Sequence, residues 1–492
     1  MTIHNAMEGA AKTGTYTEKK LRSGALGLGD VFMQAITHTA PATAILFTIP
    51  FITFRAGVAA PISYLFAFLL ILVLGVTMIQ LARHLPSAGG YYTYISHTIS
   101  PRAGFLTSWL YFLYDPTIAG YSLAFVGAVT EESLRVNYGV YFPWWLFLLV
   151  TGSFVSIACY RGIEISAKLL VVLGATEIII VLALSCWSLV DPGDGGVNVQ
   201  SFHPSNAPSI GGLAMGVVFS IFALTGWEGV APLAEESKDP KRTLPKAIMY
   251  SIIAMGIFLV FCSWSILIGW GTDHIDSFVA AQENPAFILA RKFWGNGWVI
   301  VLFALINSML AVAIACNNSA TRVWFAMARS GSMPSLLAKI HPKFQTPQNA
   351  VYLQTILMFT VGWGLGYLVG PKMEFDFMGV VITFTLAIIY TMGNIGVMRY
   401  YRKEKRHEYN VVLHTIFPVA GIAVLCLVVF FSLTPWPEKP IGYAFWVVLV
   451  WLLLGVVVLL VMKWSKREGW TKNAGTATVH SAEEINYANE SL

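Results

Sequence analysis

Runs of about twenty apolar residues recur along this chain, and no other feature limits its fold as much. In hydrocarbon every backbone N–H and C=O must find a partner inside the protein, so a run of that length crosses a bilayer as an α-helix. Strands of a membrane barrel would be shorter and would alternate in polarity. The runs fall at about 29–53, 60–82, 103–128, 142–159, 165–189, 211–233, 247–270, 297–327, 349–369, 374–398, 411–433 and 442–462. The fold class they predict is all-α and integral to the membrane, with twelve transmembrane helices and both termini on one side. Only 12% of the residues are charged, against roughly 25% in soluble proteins, which fits the same reading.

The distribution of Lys and Arg orients the bundle. The N-terminal tail, the alternate loops and the C-terminal tail hold 25 of the 31, and the opposite loops hold only Arg55, Arg135, Arg291, Lys292, Lys372 and Lys439. By the positive-inside rule both termini face the cytoplasm of a cell membrane. The net charge of +5 is thus a topological signal and gives no reason to expect nucleic acid as a partner. Residues 1–24 are polar and lack the apolar core and small-residue cleavage site of a signal peptide. The expected organisation is a tail over 1–24, a core over 25–400, two further helices over 401–464 and a polar, disordered tail over 465–492. The five cysteines form no CxxC pair or metal spacing and read as small packing residues.

Two spans carry breaks. In the first, Pro41 removes a backbone hydrogen bond, and Thr37, His38, Thr39 and Thr43 crowd polar groups around the gap. In the sixth, Thr225 and Gly226 interrupt an apolar run that also holds Glu228. An acidic residue at a helix centre costs about 2.5–3.5 kcal/mol unless it faces protein or water, so Glu228 marks a functional site. The two breaks sit five helices apart, in corresponding places of two five-helix halves. Such a recurrence points to an inverted-repeat transporter whose site lies near the midplane, where exposed backbone groups hold an ionic substrate.

Other ionisable groups can serve that site or the packing around it. Asp115, beside Pro116 in the third span, can meet a cationic amine or hold the helix by hydrogen bonds. Glu177 lies amid apolar residues of the fifth span, where it can carry a proton or tie down the first span. His38 can titrate near neutrality or simply pack. Asn307, Asn317 and Asn318 in the eighth span can reach substrate or bond between helices. Trp227 is placed to line a pocket, whereas Trp144, Trp145, Trp270, Trp436 and Trp464 sit at span ends as interfacial anchors do. Glu131 and Glu132 read as a solvated loop face.

Three loop motifs make a resemblance visible. Phe222-Ala-Leu-Thr-Gly-Trp-Glu228 with Glu235-Glu-Ser-Lys-Asp-Pro-Lys-Arg-Thr-Leu-Pro-Lys-Ala-Ile248 is one. Leu85-Pro-Ser-Ala-Gly-Gly-Tyr-Tyr-Thr-Tyr94 and Arg322-Val-Trp-Phe-Ala-Met-Ala-Arg-Ser-Gly-Ser-Met-Pro334 are the others, joined by His341-Pro-Lys-Phe-Gln-Thr-Pro347. Over about residues 25–400 the chain resembles the amino acid/polyamine/organocation permeases. The resemblance implies a fold like that of the leucine transporter: ten core helices in a five-plus-five inverted repeat, helices 1 and 6 broken, and two added C-terminal helices. It implies alternating access, a gating role for Phe222 and a proton-sensing role for Glu228. The chain departs from the pattern at two places. Where the family's amino acid carriers commonly have Gly-Ser-Gly before Phe-x-x-Pro, this chain has Thr43, Ala44 and Ile45 before Phe47-Thr-Ile-Pro50, a departure shared by putrescine-importer-like branches. Where proton-coupled members often have a lysine in the fifth helix, it has Glu177.

The function expected is import of a small amino acid or amine by a secondary active permease, with H+ as coupling ion. Thr43, Ala44, Ile45, Asp115, Phe222, Thr225, Gly226, Trp227 and Asn307 are the candidate substrate contacts. Glu177, Glu228 and His38 are the coupling candidates. A polyamine or organocation carrier and an exchanger are the near alternatives; a channel or a transporter-like sensor lies further off. No metal spacing, nucleophile elbow or phosphate-binding glycine loop points to an enzyme or a cofactor.

Overall fold

In the computed structural model, which describes residues 20–434, 436–465 and 468–476, the chain is built of helices, with no strand among the described residues. The first expected span divides into α1 (Leu28–His38), α2 (Pro41–Leu46) and α3 (Thr48–Ala56), followed by α4 (Ala60–Ala82). Then come α5 (Tyr91–Thr98), α6 (Pro101–Tyr111), α7 (Asp115–Tyr138), α8 (Trp144–Tyr160), α9 (Ile163–Val190), α10 (Ile210–Ala223) and α11 (Pro240–Trp270). The remainder is α12 (Ile275–Val279), α13 (Pro285–Trp294), α14 (Trp298–Ser330), α15 (Gln348–Val369), α16 (Pro371–Lys403), α17 (Phe417–Leu433) and α18 (Ala444–Trp464). Between α10 and α11, residues Trp227–Glu236 wind as a tighter 3₁₀-helix.

Nine helical stretches among the described residues are long and apolar enough to cross a membrane. The expected first, third and fourth spans are not among them, each for a physical reason. The first is cut at Thr39–Ala40 and the third at Phe112–Tyr114, ahead of Pro116; the fourth, α8, has only 17 residues. Both cuts are places where backbone groups leave the helical ladder.

Two sets of helices pack closely among themselves, and α1, α9 and α16 touch both. α4 lies against α10 and α11, with α3 on α10, while α7 lies against α14, α15 and α8. α9 packs on α14 and also touches α1 and α2. α17 and α18 are the least covered, with Leu427, Phe430, Trp446, Leu453 and Val457 exposed, as lipid-facing side chains are. α18 is held to α6 by a reciprocal pair: the Trp109 indole N–H donates to the Trp451 carbonyl, and that of Trp451 to the Trp109 carbonyl, at 2.7 Å each.

Two loop expectations change. Glu131 is not merely solvated, because its carboxylate accepts the Trp144 N–H at 2.8 Å and so caps α8; Glu132 pairs with Lys372. After α18 the chain was expected to be disordered, yet Trp470 is buried against Phe105 at 5.7 Å between ring centroids. The remainder of the 465–492 tail beyond residue 476, and residues 1–19 of the 1–24 tail, lie outside the described residues.

Candidate functional site

The two breaks touch. Ala40 takes a left-handed backbone conformation (φ 53°) that turns the chain between α1 and α2, and Gly226 does the same (φ 118°) between α10 and the 3₁₀ segment. A Cβ on Gly226 would lie 2.7 Å from the His38 carbonyl carbon, so only glycine allows this approach. Gly229 is equally constrained, since a Cβ there would overlap the His38 imidazole.

Beside the breaks lies a cavity of about 70 Å³. His38, Thr43, Ala44, Phe222 and Thr225 line it, as expected of them. Thr39, one of the polar groups expected at the gap, lines it too, while Thr48, Ile118, Tyr121, Ser122, Met309, Val312, Phe375 and Ile382 complete much of the wall and were not foreseen. Among the described residues no Asp, Glu, Lys or Arg lines it. The Thr43 hydroxyl is buried and has no hydrogen-bond partner among the described residues, so it is available to a ligand. The ring of Phe222 lies over Gly379, within 3.5 Å of where a Cβ would stand.

The acids sit just outside this wall, already bonded. The imidazole Nε2 of His38 is 2.9 Å from Asp115 Oδ1, and the Tyr111 hydroxyl donates to Asp115 Oδ2. Tyr114 donates to Glu228 Oε1 at 2.6 Å, while Glu228 Oε2 accepts the Gly226 N–H at 3.0 Å. The Tyr114 and His38 rings stack, so the two carboxylates belong to one buried network that clamps the break in α10 to α7 and α1. Asp115 therefore reaches neither the cavity nor α16; it stands at the start of α7. The tyrosines were missed, though the i, i+4 spacing of Tyr111 and Asp115 puts them on neighbouring turns.

Glu177 is fully buried in α9 and accepts the Ala42 N–H, a donor freed by the break, at 3.0 Å. Its other oxygen has no partner among the described residues. Next to it Thr43 donates its N–H toward Ser308 Oγ at 3.4 Å. Ile45, Trp227 and Asn307 are buried but do not line the cavity: Trp227 stacks on Tyr390, and Asn307 donates to the Leu173 carbonyl at 2.6 Å. Asn318 donates to Gln34, which donates to the Ala315 carbonyl, binding α1 to α14. Ser319 donates to the Gly229 carbonyl at 2.6 Å.

On the side of the 227–236 segment the site is sealed by ions. Arg322 and Glu236 form a fully buried bidentate pair at 2.8 and 3.1 Å, and Arg329 pairs with Glu235. Leu26 donates to the Glu236 carbonyl and accepts from Lys238, stitching the start of α1 to the same segment. Among the described residues one set of side chains could ligate a metal: His38, Asp115 and Cys316 place ligand atoms within 4.8 Å of one another. Sequence spacing does not reveal the trio because it comes from three helices.

The sequence matches known proteins over most of its length. The family model described as amino acid permease matches residues 30–472. The low-affinity putrescine importer PlaP of Escherichia coli K12 is 25% identical over 397 residues, covering 78% of this chain and 82% of that protein. The branched-chain amino acid permease BcaP of Bacillus subtilis is 25% identical over 82% of this chain and 85% of its own length. The serine/threonine exchanger SteT of Bacillus subtilis is 23% identical over 73% and 80%.

Proposed function

We propose, from the premise that this chain belongs to the amino acid permease family, that it imports a small, zwitterionic amino acid across the cell membrane by alternating access, driven by protons. The observation that carries the reading is the meeting of two broken helices, at Ala40 and Gly226, beside a cavity that no Asp, Glu, Lys or Arg lines among the described residues. Backbone groups released by the breaks then meet the ammonium and carboxylate, with the Thr43 hydroxyl and Thr225 beside them. Ile118, Met309, Val312 and Ile382 offer an apolar wall for the side chain. Phe222 closes over the substrate.

In this reading the chain has twelve spans, counting the broken first and third and the short fourth, with helices 1–5 and 6–10 as inverted repeats and both termini cytoplasmic. The excess of Lys and Arg on that side supports the orientation. Residues 25–400 form the transporting core. Glu177 takes up a proton and, through Ala42, links protonation to the position of α2. The His38–Asp115 and Tyr114–Glu228 pairs hold the breaks closed and exchange partners as the two helix groups rock.

A polyamine or organocation carrier is the second reading, favoured by the missing helix 1 glycines and by likeness to a putrescine importer. It requires Asp115 or Glu228 to leave its present partners and face the cavity. A thermal-shift screen with amino acids and amines separates the two, because a ligand that binds the folded state raises its melting temperature. Stabilisation by a neutral amino acid supports the first reading, and stabilisation by putrescine alone supports the second.

A further inference from the structure

The two acids behind the cavity wall lack a basic side chain as partner. Asp115 is met by His38 and the Tyr111 hydroxyl, and Glu228 by the Tyr114 hydroxyl and the Gly226 N–H. Among the described residues no Lys or Arg pairs with either, for Arg322 is taken by Glu236 and Arg329 by Glu235. A buried charge is costly unless it is paired or coordinates a metal, so this interior favours a cation.

Metal-ligand atoms stand at the same place. His38, Asp115 and Cys316, from α1, α7 and α14, are all buried, and their ligand atoms lie within 4.8 Å of one another. One nitrogen, one oxygen and one sulfur suit a borderline-soft divalent ion such as Zn2+, whereas Mg2+ and Ca2+ take oxygen ligands. In a tetrahedral zinc site the ligand atoms stand roughly 3.3–3.6 Å apart, so these side chains need to shift by about 1 Å. Tyr111 already holds the second carboxylate oxygen, the kind of outer contact that orients a metal-bound carboxylate. His38 Nδ1 has no hydrogen-bond partner among the described residues, so no second bond fixes the imidazole tautomer. Nε2 is free to give its lone pair to a metal in place of donating a proton to Asp115.

We propose that His38, Asp115 and Cys316 form a binding site for Zn2+ or a like thiophilic divalent cation, and that the bound ion locks the interruptions of α1 and α7 in place. On binding, the imidazole keeps its one proton on Nδ1, the Cys316 S–H bond breaks as the metal–sulfur bond forms, and that proton passes to solvent. The thiolate and the Asp115 carboxylate balance the two charges of the ion. Metal bonds then join α1, α7 and α14, and the helices no longer part for alternating access. The ion enters through the cavity at the breaks, which His38 lines. The lock rests on the permease reading, and the binding does not.

The test uses the full chain, stripped of metal with EDTA, with Co2+ as the spectroscopic stand-in for Zn2+. Co2+ should give a near-ultraviolet thiolate-to-metal charge-transfer band, which Zn2+ abolishes and Mg2+ leaves intact. Cys316 is the one cysteine in such a ligand set among the described residues, so Cys316→Ser should remove the band. The same variant should raise the Zn2+ concentration that stabilises the protein to heat at least tenfold, the scale of losing even a supporting contact. In proteoliposomes Zn2+ should stop amino acid exchange, and Cys316→Ser should need at least tenfold more of it. Absence of the band in the unaltered protein, which needs no variant, would overturn the proposal. So would a band that persists in Cys316→Ser, or undiminished exchange with the site loaded. A band in a protein that transports no amino acid would sink the proposed function and leave the metal site standing; transport without the band would do the reverse.

Discussion

His38 and Asp115 face each other at 2.9 Å with no solvent on either side chain, one at the end of α1 and the other at the start of α7. Each stands where a helix is interrupted, so one contact fixes two breaks. Asp115→Asn leaves the Tyr111 hydroxyl and the imidazole competing for a weaker partner. We expect it to cost about 1–3 kcal/mol, the scale of a disturbed buried hydrogen bond. A lowered melting temperature in detergent, with exchange of amino acid reduced in proportion, is the outcome to look for; an unchanged melt would remove the clamp role.

Gly226→Ala should abolish transport and reduce the yield of folded protein, because φ is 118° and the new methyl would press on the His38 carbonyl. Gly364→Ala provides the contrast. It lies within α15 with nothing near the position of a Cβ, so it should be neutral or stabilising by up to about 1 kcal/mol. Size-exclusion profiles and uptake of the two variants side by side distinguish a specific break from general sensitivity.

Glu177→Gln keeps an oxygen for the Ala42 N–H but cannot take up a proton. Counterflow should survive while accumulation against a gradient is lost. Continued accumulation by this variant would exclude Glu177 from coupling.

Arg322→Met alone strands Glu236 in a dry interior, and loss of one partner of such a pair costs about 3–5 kcal/mol. Adding Glu236→Leu should restore most of the thermal stability, since two apolar groups leave no buried charge. If the double variant melts no higher than the single one, the pair does more than neutralise itself.

Some of this was legible in the residues and some was not. Pro41 and the Thr225-Gly226 pair announce their breaks because each disturbs the helical ladder locally. Ala40 does not, for alanine seldom takes a positive φ and does so here only within a tight junction. Pairings across the bundle were equally hidden. His38 and Asp115 are 77 positions apart and Arg322 and Glu236 are 86 apart, and no periodicity within one helix reports on another. Asp115 and Glu228 were recognisable as buried acids; that tyrosines occupy them and keep them out of the cavity required the third dimension.

The most direct test is accumulation of labelled amino acid in proteoliposomes under an imposed inward proton gradient, with an uncoupler and with unlabelled substrate inside as controls. The account predicts saturable uptake of at least one small neutral amino acid that an uncoupler abolishes and internal substrate accelerates. Non-saturable flux without such acceleration, or ligand binding with no flux at all, would contradict it.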